Sequence, residues 1–373
     1  MKLNYSLKLN YVVLLVLVVA LNALGILVVR SATNMNNDTV SRQIIGSIVG
    51  FVAALIISFI DYRFMFKFIK FIFLGIIAIL AAVILIGAVR NNASRWIILP
   101  VIGQIQPAEF AKAGLILVFA EFFDRNQDYL SDIKTMLKSA ILFGIPALLI
   151  FIEPNLSTTI ILFVIFITMY IAAGLSPKVI AFFTGIVSSI VGLVIYLFST
   201  DKYEKIPFLK DYMKKRILSF LNPAAFSDDY RQQQNSIMAI GSGGFFGKGL
   251  YNDDINSVKG ANYLIEEETD FIFAVIGEEL GFRGCLGILL LYFLLIVVIL
   301  WIAGKANDVG GTCICVGVAA WIGFQTFTNI AVTTGLFPNT GVTLPFFSKG
   351  VSSLIALYLG IGLVLNVSLQ IKQ

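Results

Sequence analysis

The sequence predicts an all-α polytopic membrane protein with about ten transmembrane helices and one large outer loop, about 200–270, between the seventh and eighth. Three observations predict it. Apolar residues make up 58% of the 373 and charged residues only 13%, at a mean hydropathy of +0.91. A soluble domain carries about 25% charged residues, and a soluble chain of this composition could not cover its surface. Apolar runs long enough to cross a bilayer recur at 11–29, 43–60, 68–89, 108–123, 137–152, 156–174, 178–199, 271–303, 309–331 and 351–369. Lys and Arg gather in alternate loops between these runs. The whole of 1–373 reads as one membrane domain.

The first run follows Lys2 and Lys8 and could pass for a signal peptide. Its length and the lack of a small-residue cleavage site predict a retained anchor. The run 271–303 is too long for one crossing and holds Glu278, Glu279 and Arg283. It predicts a half-buried outer helix followed by a true span from about Gly284. Placing the N-terminus in the cytoplasm gives the inner loops Arg63, Lys67, Lys70, Arg125, Lys134, Lys138, Lys178, Lys305 and Lys372. Both termini are therefore expected inside, with 200–270 outside. A net charge of +5 is explained by this loop bias and by lipid contact, without nucleic acid. No internal repeat is visible, against an inverted-repeat transporter.

The chain has no histidine, which excludes His-based catalysis and His metal ligation. Cys285, Cys313 and Cys315 all lie in apolar runs and read as small buried hydrophobes.

The outer loop carries most of the chemistry. Tyr203–Leu221 places Leu209, Met213, Ile217 and Phe220 at helical spacing, with Lys205, Lys210, Lys214, Lys215 and Arg216 around them. Pro207 can start this helix and Pro223 follows it. The pattern fits a basic amphipathic helix on a membrane surface or a solvated loop helix. A polar helix is expected at about 228–240, running into the glycine-rich Gly241–Gly249. Converging backbone N–H groups there, with Lys248, could hold an anion; a bare turn explains the glycines as well. Glu266, Glu267, Glu268, Thr269 and Asp270 then precede Phe271 at the bilayer edge. A carboxylate so placed has a role or a partner, or else Thr269 or Asp270 caps the following helix.

Glu109 and Lys112, one turn apart after Arg95, Trp96 and Gln106-Pro107, can neutralise each other or serve a site. Glu279 and Arg283 are expected to pair at i, i+4. The segment 335–350, with Pro338, Thr340, Pro345 and Ser348, interrupts two spans. Irregular backbone at that depth is tolerated only against protein or a watery cavity, so it predicts a cavity wall.

These segments resemble the SEDS family of bacterial cell-wall growth, the FtsW/RodA/SpoVE proteins, over nearly the whole chain. The resemblance rests on Ala93-Ser-Arg-Trp-Ile97, Gln106-Pro-Ala-Glu-Phe-Ala-Lys112, Glu153-Pro-Asn-Leu-Ser-Thr158, Ala239–Gly244 with Gly247-Lys-Gly249, Thr269-Asp-Phe-Ile-Phe273, Gly277-Glu-Glu-Leu-Gly281, and Pro338–Ser353. Some positions depart from the family pattern. Ile265 and Glu268 stand where it has Pro and His, Asn155 where it more often has Asp, and Lys349 and Val351 where it has Tyr and Gly. Glu268 adds negative charge beside Asp270, so a different pH response is expected.

The resemblance implies a peptidoglycan glycosyltransferase that polymerises lipid II, an undecaprenyl-pyrophosphate-linked disaccharide-pentapeptide, on the outer face of the cytoplasmic membrane. It implies inversion at the anomeric carbon, with Asp270 as the base. An aspartate near its ordinary pKa of about 4 is a weak base; neighbouring glutamates and desolvation strengthen it. The expected substrate-binding residues are Arg95, Trp96, Glu109, Lys112, Lys248, Glu266, Thr340 and Ser348. Arg95, Lys112 and Lys248 would steady the leaving pyrophosphate, with no certain cofactor and a divalent cation as an open expectation. The expected partners are lipid II, membrane lipid and a class B penicillin-binding protein as transpeptidase. Elongation, division and sporulation stay open. A lipid II flippase and a non-catalytic scaffold of the wall-synthesis complex are the alternatives; clustering of polar groups on the outer side favours the enzyme.

Overall fold

The computed structural model describes residues 9–86, 88–90, 93–99, 103–200, 211–252, 257–261, 263–264 and 266–371. It is mostly helical. Helices α1 (Leu9–Ala32), α2 (Asn37–Ser58), α3 (Tyr62–Phe66) and α4 (Ile69–Ile86) come first, followed by three short strands. Helices α5 (Pro107–Arg125), α6 (Ile133–Ile152), α7 (Leu156–Ala172) and α8 (Pro177–Ser199) lead to the polar segment. That segment holds α9 (Asp211–Leu221) and α10 (Ser227–Ser242), after which α11 (Ile272–Ala303), α12 (Val309–Thr333) and α13 (Val351–Gln370) complete the chain. Among the described residues, α1, α2, α6, α11, α12 and α13 are long and apolar enough to cross a membrane. Their outward faces carry exposed Val16, Ile45, Ile56, Leu148, Phe293 and Leu300, as lipid contact requires. The chain is a multi-pass membrane protein.

The strands were not anticipated by an all-α reading. Strands β1 (Ala88–Arg90), β2 (Ala93–Leu99) and β3 (Gly103–Ile105) form an antiparallel sheet in the order β1-β2-β3, with Ala88 opposite Trp96 and Ile97 opposite Ile105. Ser352 ties the sheet to α13, its hydroxyl donating to the Gln104 carbonyl at 2.8 Å.

α13 packs along α2 because α2 offers it a groove of small residues at every fourth position. A Cβ on Gly50 would meet the Tyr358 ring at 2.5 Å, one on Gly46 would meet Val351 at 2.9 Å, and Gly362 approaches the Ala54 carbonyl. Between helices in lipid such close approach replaces the hydrophobic drive available in water. The three cysteines are free and buried.

α11 breaks at Gly281, where φ is 67° and ψ −167°. The segment before the break, Ile272–Glu279, is buried throughout, where a half-buried outer helix was expected. The expected Glu279–Arg283 pair does not form, because the break removes the helical register between them. Arg283 lies over the Phe246 ring instead, 5.1 Å from its centroid.

Candidate active site

The six residues before α11 form a turn that starts at Glu266, whose φ is 60°. Its carbonyl accepts from the N–H of Thr269 and of Phe271, and its carboxylate accepts from the Thr269 hydroxyl at 3.0 Å. Phe271 occupies the N-cap position of α11 and no side chain caps it. Neither Thr269 nor Asp270 is a cap, and the half-buried Asp270 has its carboxylate elsewhere.

The 335–350 segment surrounds this turn. The Ser348 hydroxyl donates to the Thr269 carbonyl at 2.6 Å and accepts from the Leu344 N–H. The Lys349 N–H donates to the Glu268 carbonyl at 2.7 Å. Asn329 of α12 donates to the Asp270 carbonyl at 2.8 Å and to the Val342 carbonyl at 2.7 Å, joining turn and loop through one amide. Other elements secure the remaining irregular backbone. Ser157 donates to the Thr340 carbonyl at 2.5 Å, Gln325 to Thr343, Gln43 to the Ser348 carbonyl and Tyr292 to the Pro345 carbonyl. Protein groups thus satisfy much of the loop's irregular backbone, as expected of a cavity wall between two spans. At its tip Gly341 is exposed with φ +69°, and a Cβ there would lie 3.3 Å from Asp270 Oδ2.

Two departures from the family pattern meet here. Lys349 Nζ lies 3.2 Å from Glu268 Oε1, so the negative charge expected to burden Asp270 carries its own counter-ion.

Beneath the turn is a buried layer of charge. Glu278 Oε1 accepts from Lys248 Nζ at 2.7 Å and from the Val258 N–H at 2.8 Å, and Oε2 accepts from the Lys259 N–H. Lys259, itself buried, donates through Nζ to Glu279 Oε1 and to the Ser31 hydroxyl, both at 2.8 Å. Glu267 completes the layer. Burial, with Glu268, Glu279 and Glu278 nearby, pushes its carboxyl up to about 7 against the opposing pull of Lys259. The glycine-rich segment packs directly on the α11 break. A Cβ on Gly247 would meet the Glu279 carbonyl oxygen at 2.2 Å, and the N–H groups of Lys248 and Gly249 donate to the carbonyls of Glu278 and Glu279. Those donors face α11, and the glycines serve close approach.

Lys112 is wholly buried, 2.9 Å from Glu109 Oε1, 3.1 Å from Gln325 Oε1 and 4.7 Å from the Trp321 ring centroid. Gln325 in turn holds Thr343, so this pair reaches the loop from below. Trp96 is half-buried on β2, and Glu266 is exposed. Arg95 lies on β2, and its side chain lies outside the described residues. The structure therefore gathers Asp270, Glu266, Thr340 and Ser348 at one place and sets Lys112 with Glu109, and Lys248, beneath it. Sequence reasoning missed Asn329, Gln325 and Lys259, each of which acts across a long sequence separation.

A cavity of about 570 Å³ touches none of these residues. It is lined by Asp124, Gln127, Asp308 and Thr312 among others. These sit where α5 ends and α12 begins, the end of the bundle opposite Asp270.

The chain is 35% identical to the probable peptidoglycan glycosyltransferase FtsW of Trichlorobacter lovleyi, over 96% of this chain and 93% of that protein. It is 32% identical to that of Geobacter sulfurreducens, over 96% and 95%. Among solved structures it resembles a chain of a peptidoglycan synthase complex that coordinates polymerization and crosslinking. There the TM-score is 0.78 and the identity 28%, covering 95% of this chain and 96% of that one. Thermus thermophilus RodA follows with a TM-score of 0.69 and 27% identity, over 96% and 97%. The model of the FtsW/RodA/SpoVE family, described as cell cycle proteins, matches residues 5–373. The chain belongs to the FtsW/RodA/SpoVE family.

Proposed function

We infer that this protein is a peptidoglycan glycosyltransferase that polymerises lipid II on the outer face of the cytoplasmic membrane. One observation carries the reading beyond family membership. Asp270 stands at the start of a membrane helix without capping it, with its carboxylate at the exposed tip of a loop pinned from several helices. A carboxylate held at that cost serves chemistry.

The acceptor sugar hydroxyl attacks the anomeric carbon of the donor, and its proton passes to the Asp270 carboxylate as the new C–O bond forms. The bond from that carbon to the diphosphate breaks on the opposite face, and its electron pair leaves with the diphosphate. The α-linked donor becomes a β-linked polymer without a covalent enzyme intermediate. The diphosphate is a stable anion, so cations and N–H donors suffice to receive it. Arg95 and Trp96 on the sheet, with Glu266, Thr340 and Ser348 around the turn, are the proposed substrate contacts. Glu109, Lys112 and Lys248 support that wall from beneath. A divalent cation would arrive with the donor's diphosphate: no three carboxylates or thiolates converge to hold one among the described residues.

In the membrane we propose ten crossings, both termini cytoplasmic and the 200–270 segment outside, with α9 lying against the outer leaflet. A class B penicillin-binding protein is the proposed partner, since cross-linking needs a transpeptidase. The service is to elongation or division.

The test is the purified protein in liposomes, with and without that partner, given lipid II. Glycan chains are the expected product. Lipid II translocation with no polymer would replace the enzyme by a flippase, and neither activity would leave a scaffold.

A further inference from the structure

We propose that Arg216 of α9 is a positioning residue of this site, one that holds the Asp270 carboxylate charged and turned toward the tip of the 335–350 loop. The inference rests on the reading of Asp270 as the base. Both side chains border the bare backbone of Gly341. A Cβ there would lie 3.3 Å from Asp270 Oδ2 and 3.9 Å from both Nη1 and Nη2 of Arg216. The guanidinium and the carboxylate thus border the same spot. A guanidinium's planar fork of donors is suited to a carboxylate. Gly341 is left-handed as well as bare, so the loop brings no side chain between them.

The surrounding charges explain why a cation is needed here. Asp270 shares its turn with Glu266, Glu267 and Glu268. From the loop comes Lys349, held by Glu268; from α12 comes only the neutral Asn329 amide, and from α7 the neutral Ser157. Three other described lysines, Lys248, Lys259 and Lys112, are held by Glu278, Glu279 and Glu109. Arg216 is a described cation that borders the same glycine as Asp270. Its helix is anchored by buried Met213 and Ser219 while Arg216 is exposed. α9 therefore delivers a charge that stays protonated at any working pH. A carboxylate flanked by like charges takes up a proton early, and a guanidinium beside it reverses this by about one to three pH units.

The experiment is the rate of lipid II polymerisation against pH, from 5 to 9, for the full-length protein with its transpeptidase partner in liposomes. Wild type, Arg216→Gln, Arg216→Lys and Asp270→Asn are compared, each checked for an unchanged melting temperature. Loss of the guanidinium lets the carboxylate protonate at higher pH. The acid limb of Arg216→Gln is therefore expected to move up by about one unit or more, with the rate recovering on the alkaline side. Arg216→Lys, which keeps the charge and loses the fork, should fall between. An acid limb that superimposes on wild type, or a loss equal at every pH, overturns the proposal. An inactive Asp270→Asn beside either of those results overturns the role of Arg216 alone. A fully active Asp270→Asn overturns the base assignment on which it rests.

Discussion

Lys112 is the residue for which the structure changes the expectation most sharply. It belongs to an anion-binding set by family resemblance, yet its side chain has no exposed surface and its ammonium is enclosed by Glu109, Gln325 and Trp321. Replacing it with Met leaves Glu109 buried and without its counter-ion, which costs about 3–5 kcal/mol. Replacing Glu109 and Lys112 together with Gln and Met removes both charges at once, and such exchanges of buried pairs are close to neutral. Thermal unfolding in detergent of the two single variants and the double variant forms a thermodynamic cycle. Lys112→Met should lower the melting temperature by on the order of 5 °C or more, and the double variant should recover most of that loss. Polymerisation should follow stability, because Gln325 still links to Thr343. A Lys112→Met protein as stable as wild type but with a raised KM for lipid II would refute the reasoning and return Lys112 to the diphosphate.

Two further variants probe the layer beneath the turn. Glu267 is held at about 7 in the folded protein against an ordinary 4.5, so the folded state binds more protons than the unfolded one between those values. Stability should fall as pH rises across that window, by at most about 1.4 kcal/mol per unit. Glu267→Gln should abolish this slope and be the more stable protein at pH 8, as read by melting temperature. Gly247→Ala should cost at least about 4 kcal/mol. Its Cβ would meet backbone on α11 at 2.2 Å, at a φ of +79°. Size-exclusion chromatography of the solubilised protein should show little folded material.

Much of the architecture was legible because bilayer thickness imposes a length on apolar runs, and helices lie on the runs read from the sequence. Helix α9 was legible through its periodicity and Pro223, and α10 through its polar run; the expected start of the first at 203–210 lies outside the described residues. The 335–350 loop announced itself by prolines and glycines where a span should continue. What escaped has a common cause. Strands β1 and β3 have three residues each, too few to show alternation, and the seven of β2 do not alternate. The Glu279–Arg283 pair was inferred from helical spacing, and a single glycine at 281 cancelled it. Lys259 lies twenty residues from the carboxylate it neutralises, in a stretch with no pattern of its own, and Arg216 lies further still from Asp270. The glycine-rich Gly241–Gly249 left an anion nest and a bare turn both open, since a loop that approaches backbone and one that approaches a phosphate need the same residue. Helix and loop were local properties here; the charge pairing that builds the site was not.

The most direct measurement replaces the Asp270 carboxylate by an amide of the same shape. Wild type and Asp270→Asn, purified and reconstituted identically with the partner transpeptidase, are given lipid II and their glycan chains resolved by length. Because Asp270 does not cap α11, the variant should keep the melting temperature of wild type and produce no glycan chains. Chains of normal length and amount from a folded Asp270→Asn protein would contradict the account at its centre.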